Sequence, residues 1–140
     1  MKVDFHFEAA YSLDDEVAYS NWISRIVTIE GKQLGNLNYI FCNDKYLNEL
    51  NIKYLEHFDF TDIITFNYCT DNFIEGDIFI SIERVKENAV HFRVPLDNEV
   101  RRVMAHGVLH LLGYNDKTED EKSLMRTKEN EMMQLFHVEQ

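Results

Sequence analysis

The chain has 140 residues, 45% of them hydrophobic and 13% aromatic, which suits one folded domain and argues against intrinsic disorder. Fourteen basic and 25 acidic residues give a formal net charge of -11, which opposes unspecific adhesion to nucleic acid or to anionic membranes. The N-terminal residues mix charged with apolar side chains and no apolar run reaches membrane-spanning length, so we expect a cytoplasmic protein without membrane contact.

The first half of the chain predicts two strands, each followed by a helix. Residues 3–7 and 36–42 alternate their side chains with the period of a half-buried strand. Residues 13–29 between them place apolar side chains at helical spacing, namely Val17, Ala18, Trp22, Ile26 and Ile29. Asn43 or Asp44 is a suitable cap for a second, short helix.

The middle of the chain predicts two neighbouring strands. Residues 63–68 are an almost continuous run of β-branched and aromatic side chains, as expected of a strand buried on both faces, and residues 77–82 are similar. The short link between them favours an antiparallel pair, whereas the helical connections elsewhere favour parallel pairs.

Helices fill the rest of the chain. One is expected over residues 83–89, and Pro95 suits the first turn of another, since its missing N–H donor is harmless there. Thr118 and Glu121 form a capping box for a last helix, whose predicted apolar face consists of Leu124, Met125, Met132 and Leu135. This order predicts an α+β fold, a single domain over residues 1–140 with a small mixed sheet of about four strands packed by helices.

The most informative segment, residues 106–116, has the spacing of metal ligands. His106 and His110 are four residues apart, so on a helix they share one face and can bind one ion. Gly113 falls where that helix should end, and the chain reversal there can bring Asp116 back toward the histidines. Three protein ligands with an open position are typical of catalytic zinc, so we predict one Zn²⁺ at the end of a central helix.

The same residues also have an ordinary interpretation. A histidine on an amphipathic helix is usually a surface or satisfied core residue, and Gly-Tyr-Asn-Asp alone is typical of a helix stop followed by a turn. The glycine and the carboxylate at further fixed offsets from the two histidines favour the metal site.

Four segments, in a fixed order along the chain, carry a family resemblance. They are Asn51-Ile52-Lys53-Tyr54, Phe60-Thr61-Asp62-Ile63-Ile64-Thr65-Phe66, Gly76-Asp77-Ile78-Phe79-Ile80-Ser81 and His106-Gly107-Val108-Leu109-His110-Leu111-Leu112-Gly113-Tyr114. The chain thereby resembles the YbeY-type endoribonucleases, bacterial rRNA maturation factors. The resemblance implies a zinc-dependent endoribonuclease specific for single strands, acting on ribosomal RNA of the small subunit in 16S 3′-end maturation and ribosome quality control.

Two positions depart from the pattern of that family. The family usually has a third histidine where this chain has Asp116, and many members have aspartate at the position of Asn115. Aspartate is an ordinary zinc ligand, but its charge should make a bound water less acidic. In the family, an arginine that is thought important for activity on RNA usually follows the tyrosine of Asn-x-x-Tyr. In this chain Leu55 occupies that position.

The preferred hypothesis is metal-assisted phosphodiester hydrolysis, in which zinc polarises a phosphoryl oxygen and supplies hydroxide near neutral pH. Asp62 and Asp77 are candidates for orienting the ligand histidines or holding a proton, and turn acids at strand ends are an equal alternative. No residue stands out as the general base.

Two other function classes fit parts of the sequence. A zinc metallopeptidase fits the spacing of the metzincin motif His-Glu-x-x-His-x-x-Gly-x-x-His, yet Gly107 occupies the place of the glutamate that deprotonates water. The second class is a ribosome assembly factor that has no catalytic activity and whose zinc is mainly structural. Its acidic surface would meet a basic ribosomal protein or an assembly GTPase.

Overall fold

The computed structural model describes residues 2–55 and 61–139, except the side chains of residues 55 and 137–139. Phe60 of the second family segment therefore lies outside the described residues, as does the side chain of Leu55. In chain order the elements are β1 (Val3–Phe7), α1 (Glu16–Ile29), β2 (Gln33–Cys42), α2 (Asp44–Leu55), β3 (Ile63–Asn67), β4 (Phe73–Ser81), α3 (Ile82–Phe92), α4 (Leu96–Leu111) and α5 (Glu119–Glu139).

The four strands form one mixed sheet in the order β1-β2-β4-β3. β1 and β2 are parallel and are connected by α1, and β2 and β4 are parallel with α2 and β3 between them in the chain. β3 and β4 are antiparallel and are joined by a tight connection in which Thr70 bridges to Phe73. The α+β fold and the mixed four-stranded sheet predicted from the sequence are therefore confirmed.

The two faces of the sheet bury different sets of side chains. One face packs against α1 and α4, on which α5 packs in turn, and holds the main core, which includes Trp22, Leu37, Tyr39, Phe41, Ile78, Ile80, Met104 and Val108. The other face carries a smaller cluster in which Leu47 of α2 packs with Cys42 and Ile64. Consequently α4, with its two histidines, lies on the heavily packed side of the sheet.

Two helix starts that the sequence predicts from capping chemistry are present. The Asn43 side chain accepts a hydrogen bond from the backbone N–H of Tyr46 at 2.8 Å, so Asn43 caps α2. Thr118 and Glu121 form the reciprocal capping box, with the side chain of each accepting from the other's backbone N–H at 3.1 and 2.9 Å. Among the described residues, no helix has both the length and the apolar character needed to cross a bilayer.

The predicted burial was wrong at several helix positions. Val17 and Ile29 are 69% and 52% exposed, because the buried stripe of α1 runs through Tyr19, Trp22, Ile23, Ile26 and Val27. The Asp15 side chain accepts from Ala18 N–H and caps this helix, which begins at Glu16 within the predicted range of residues 13–29. Leu124 of α5 is 49% exposed and does not belong to the apolar face.

The strand predicted to be buried on both faces is an edge strand. Within the part of the chain that the structure describes, β3 pairs with β4 alone, and of residues 63–68 only Ile64 is buried. Its β-branched and aromatic composition suits any strand that packs against neighbours, so composition alone does not distinguish a central strand from an edge strand.

Candidate metal centre

Helix α4 positions the two histidines. Its apolar stripe, with Val100, Val103 and Met104, is buried against the core. His106 and His110 lie one turn apart on the edge of this stripe, with 23% and 27% of their side chains exposed. Their Nε2 atoms are 3.0 Å apart, so both rings present the same nitrogen to a shared point.

The end of α4 brings Asp116 to the same point. Gly113 has φ +106°, which side-chain-bearing residues rarely adopt. The N–H of Gly113 bonds to the carbonyl of His110 and that of Tyr114 to the carbonyl of Leu109, both at 3.0 Å, which is the Schellman pattern of helix ends. The chain therefore reverses, and Asp116 Oδ2 lies 3.2 Å from Nε2 of His106 and 3.3 Å from Nε2 of His110.

These three atoms fit the coordination of a metal ion. The two imidazole nitrogens and the carboxylate oxygen lie 3.0 to 3.3 Å from one another. Ligand bonds of 2.0 to 2.1 Å in a tetrahedral zinc site place the ligand atoms about 3.3 Å apart. His106, His110 and Asp116, which the sequence predicted as ligands, thus form a group that could hold a metal ion.

A hydrogen bond ties the loop that carries Asp116 to two other helices. The Tyr114 hydroxyl donates to Oε1 of Glu30 at 2.6 Å, and Oε2 of Glu30 lies 3.5 Å from Nζ of Lys128 on α5. Burial and the bond to Glu30 raise the pKa of Tyr114, so this hydroxyl stays a donor at neutral pH. The position of Asp116 therefore depends on the end of α1 as well as on α4.

The variant Tyr114→Phe is expected to lower the free energy of unfolding by roughly 1.5 to 3 kcal/mol, the usual contribution of a hydrogen bond to a charged group. Chemical denaturation of the metal-free protein measures this change. Tyr68→Phe is the control, since Tyr68 is 58% exposed. Equal stabilities of the two variants would show that the hydrogen bond from Tyr114 to Glu30 does not stabilise the fold.

Glu129 contacts the centre and was missed by the sequence analysis. Its Oε2 accepts from Nδ1 of His106 at 2.7 Å, and its Oε1 accepts from Nη1 of Arg102 at 3.0 Å. Burial lowers the pKa of His106, but the bond to Glu129 and the nearby carboxylates outweigh it and raise the pKa overall. The sequence contains one sign of a buried polar contact at this position, because Glu129 interrupts the apolar stripe of α5 between Met125 and Met132.

A cavity of about 470 Å³ opens beside the metal centre. Its wall includes His106, Asp116, Glu129 and two further acids, Asp62 and Glu99. Burial raises the pKa of both Asp62 and Glu99, in spite of the opposing charge of His106 at Asp62 and of Arg102 at Glu99. The cations of the wall are Arg102, Lys122 and Arg126.

The two acids proposed to support the histidines lie in different places. Asp62 lines the cavity beside His106, where it accepts from Asn88 Nδ2 at 3.4 Å. Asp77 accepts from Asn38 Nδ2 at 3.0 Å on the opposite face of the sheet. Successive side chains of a strand point to opposite faces, and the two neighbours of Asp77 in β4, Gly76 and Ile78, both face α4. Asp77 therefore does not reach the histidines.

Comparison with known proteins identifies the family of this chain. A family model described as Endoribonuclease YbeY matches residues 6–137. The Endoribonuclease YbeY of Flavobacterium johnsoniae is 49% identical over 138 residues, 99% of each chain, and that of Christiangramia forsetii is 47% identical over 139 residues, 99% of this chain and 97% of the relative. The solution structure of TM1509 from Thermotoga maritima has a TM-score of 0.72 and 25% identity, covering 98% of this chain and 90% of that chain. The chain therefore belongs to the endoribonuclease YbeY family.

Proposed function

We propose that this chain is a metal-dependent endoribonuclease that hydrolyses single-stranded RNA, with one zinc ion held by His106, His110 and Asp116. The observation that carries the proposal is the convergence of two Nε2 atoms and one carboxylate oxygen, 3.0 to 3.3 Å apart, at the edge of an open cavity. Its relatives carry the name Endoribonuclease YbeY, which supports RNA as the substrate.

The side chains around the centre suit phosphodiester hydrolysis. When bound, zinc would supply a Lewis acid for a phosphoryl oxygen and lower the pKa of a water molecule. Asp62 is the acid that we assign to holding or moving a proton, because it lines the cavity and burial raises its pKa. Lys122 and Arg126 are 57% and 58% exposed at the cavity wall, so they can meet the phosphates of an RNA strand.

The biological setting of the proposal follows from the family. We assign the activity to 16S rRNA 3′-end maturation and ribosome quality control in the cytoplasm, with the small ribosomal subunit as partner and residues 1–140 acting as one domain. A net charge of -11 opposes general binding of RNA, so contact through a local cluster of cations is required. A ribosomal protein or an assembly GTPase is a further candidate partner, because a basic surface would complement the acidic one.

The packing of Gly107 opposes the peptidase alternative. A Cβ atom at this position would lie 3.0 Å from Ile63 Cδ1 and 3.0 Å from Ile78 Cγ2. Residue 107 therefore faces the sheet, away from the cavity that His106 lines. A zinc peptidase needs a carboxylate at the metal for its water, and this position does not offer one.

Removal of the metal is expected to abolish cleavage of RNA. The purified protein is treated with a chelator, dialysed and assayed on a fluorescent single-stranded RNA, then assayed again after addition of one equivalent of Zn²⁺. Since a catalytic metal contributes several kcal/mol of transition-state stabilisation, the cleavage rate should fall by at least about 10³-fold and return with zinc.

Two controls make this experiment decisive. A duplex of the same RNA sequence tests specificity for single strands, and a casein or peptide substrate tests the peptidase alternative. Full RNase activity in protein shown by elemental analysis to contain no metal would contradict the proposal. Zinc-dependent peptide cleavage without RNA cleavage would replace it with the metallopeptidase.

A further inference from the structure

We propose that Glu129 is a positioning residue that, together with Arg102, fixes the ring of His106 so that Nε2 faces the metal. The inference rests on the metal site of the proposed function. It goes beyond that function because it assigns a role in metal binding to α5, a helix that supplies none of the three predicted ligands.

The contact of Glu129 with His106 selects one tautomer of the ring. A carboxylate accepts hydrogen bonds only, so Nδ1 of His106, 2.7 Å from Oε2, must carry the proton. A neutral imidazole has a single proton, and Nε2 is then left with a free electron pair directed at His110 and Asp116. This is the form of histidine that binds a metal through Nε2.

Arg102 holds the carboxylate in the orientation that this selection needs. Its Nη1 donates to Oε1 of Glu129 at 3.0 Å, and its Nη2 donates to Oδ1 of Asn130 at 2.9 Å. Arg102 precedes His106 by one turn of α4. Glu129 of α5 therefore accepts hydrogen bonds from two side chains of the same face of α4. Glu129 is 5% exposed, and both of its oxygens are used.

The alternative is that Glu129 is only a buried partner of Arg102 that holds α4 and α5 together. Both interpretations predict a loss of stability when Glu129 is removed, so stability does not distinguish them. They differ in the metal affinity of a folded variant, and in the state of the His106 ring in the unaltered protein.

The isosteric variant Glu129→Gln separates the two interpretations. A glutamine has one acceptor and one donor group in place of two acceptors. If its oxygen faces His106, its amide N–H groups meet the donors of Arg102. If its amide faces His106, Nδ1 must accept, and the proton moves to Nε2, where it blocks the metal. We expect the zinc dissociation constant, measured by competition with a chromophoric chelator, to rise by about 10- to 100-fold.

A second variant and a control show that the loss arises from positioning. In the double variant Glu129→Gln and Arg102→Met, the guanidinium that lies 3.0 Å from Oε1 is gone, and the other nearby cation, Arg126, is 3.8 Å from that oxygen and 58% exposed, so the glutamine oxygen can turn to accept from His106. We expect this protein to recover part of the lost affinity. The control Glu131→Gln removes an exposed acid of the same helix and should bind zinc as the unaltered protein does. Thermal unfolding of each metal-free protein confirms that it is folded.

Nuclear magnetic resonance of the unaltered protein provides a test that needs no variant. In ¹⁵N-labelled, zinc-loaded protein, long-range ¹H–¹⁵N correlation should show His106 with its proton on Nδ1 and its Nε2 bound to the metal. A ring bound through Nδ1, or unchanged zinc affinity in folded Glu129→Gln, would overturn the inference. If the unaltered protein itself binds no zinc, the metal site of the proposed function fails instead.

Discussion

Replacing His110 with alanine is expected to abolish metal-dependent RNA cleavage while leaving the metal-free protein folded. His110 is part of the ligand triad, and the contacts that the structure shows for its ring are to His106 and Asp116. Loss of an outer partner of a ligand already costs 10- to 100-fold in metal affinity, so loss of the ligand itself should cost more than about 100-fold. The cleavage rate should fall by at least about 10³-fold.

The stabilisation of this variant by zinc measures the loss of metal affinity independently of activity. At a zinc concentration 100 times the dissociation constant of the unaltered protein, binding stabilises that protein by about 2.7 kcal/mol. If affinity falls at least 100-fold, His110→Ala gains less than about 0.4 kcal/mol under the same conditions. Differential scanning calorimetry with and without zinc measures both gains.

The control for this experiment is His6→Ala. His6 lies on β1 and contacts Asn38 beside Asp77, on the sheet face opposite α4. It should leave zinc binding and RNA cleavage unchanged. Equal zinc-dependent stabilisation of His110→Ala and the unaltered protein would refute the role of His110 as a ligand.

The variant Gly107→Glu introduces the glutamate of the metzincin motif. We expect it to destabilise the fold and to create no peptidase activity. Position 107 is buried between α4 and the sheet, in contact with Ile63 and Ile78. A glutamate there must either place its carboxylate among isoleucine side chains or move the helix off the sheet. Burial of an unpaired polar or charged group costs several kcal/mol, so the melting temperature should fall by about 10 °C or more.

Gly107→Ala is the matched control, because it adds a single methyl group to the same contact. Overpacking costs typically about 1 to 3 kcal/mol, and the better helix propensity of alanine recovers up to about 1 kcal/mol. The alanine variant should therefore lose much less stability than the glutamate variant. A glutamate variant as stable as the unaltered protein would show that position 107 has room for a carboxylate, and would remove our structural argument against a peptidase.

The contrast between Asp62 and Asp77 shows where inference from the sequence stopped. Both acids belong to segments that carry the family resemblance, and both were candidates for supporting the histidines, with turn acids at strand ends as an equal alternative. Asp62 lines the cavity, whereas Asp77 lies on the far face of the sheet. The side to which a strand residue points is set by the register of the sheet and by which face α4 covers, and neither can be derived from the segments themselves.

The burial errors have a similar origin. Val17, Ile29 and Leu124 lie close to true apolar stripes, but a stripe read from one helix has an uncertainty of one or two positions around its circumference. The partner helix decides which of these positions is covered. In α1 the contact with α5 and the sheet covers Trp22 and Ile26 and leaves Val17 in solvent.

What the sequence by itself determined is local. The spacing of His106 and His110, the glycine that ends α4 and the return of the chain at Asp116 follow from helix periodicity and from the conformational freedom of Gly113. The tertiary structure decided which other side chains reach this group. Glu129 lies 23 residues from His106 and contacts it only because α5 packs against α4, a long-range contact that no local pattern specifies.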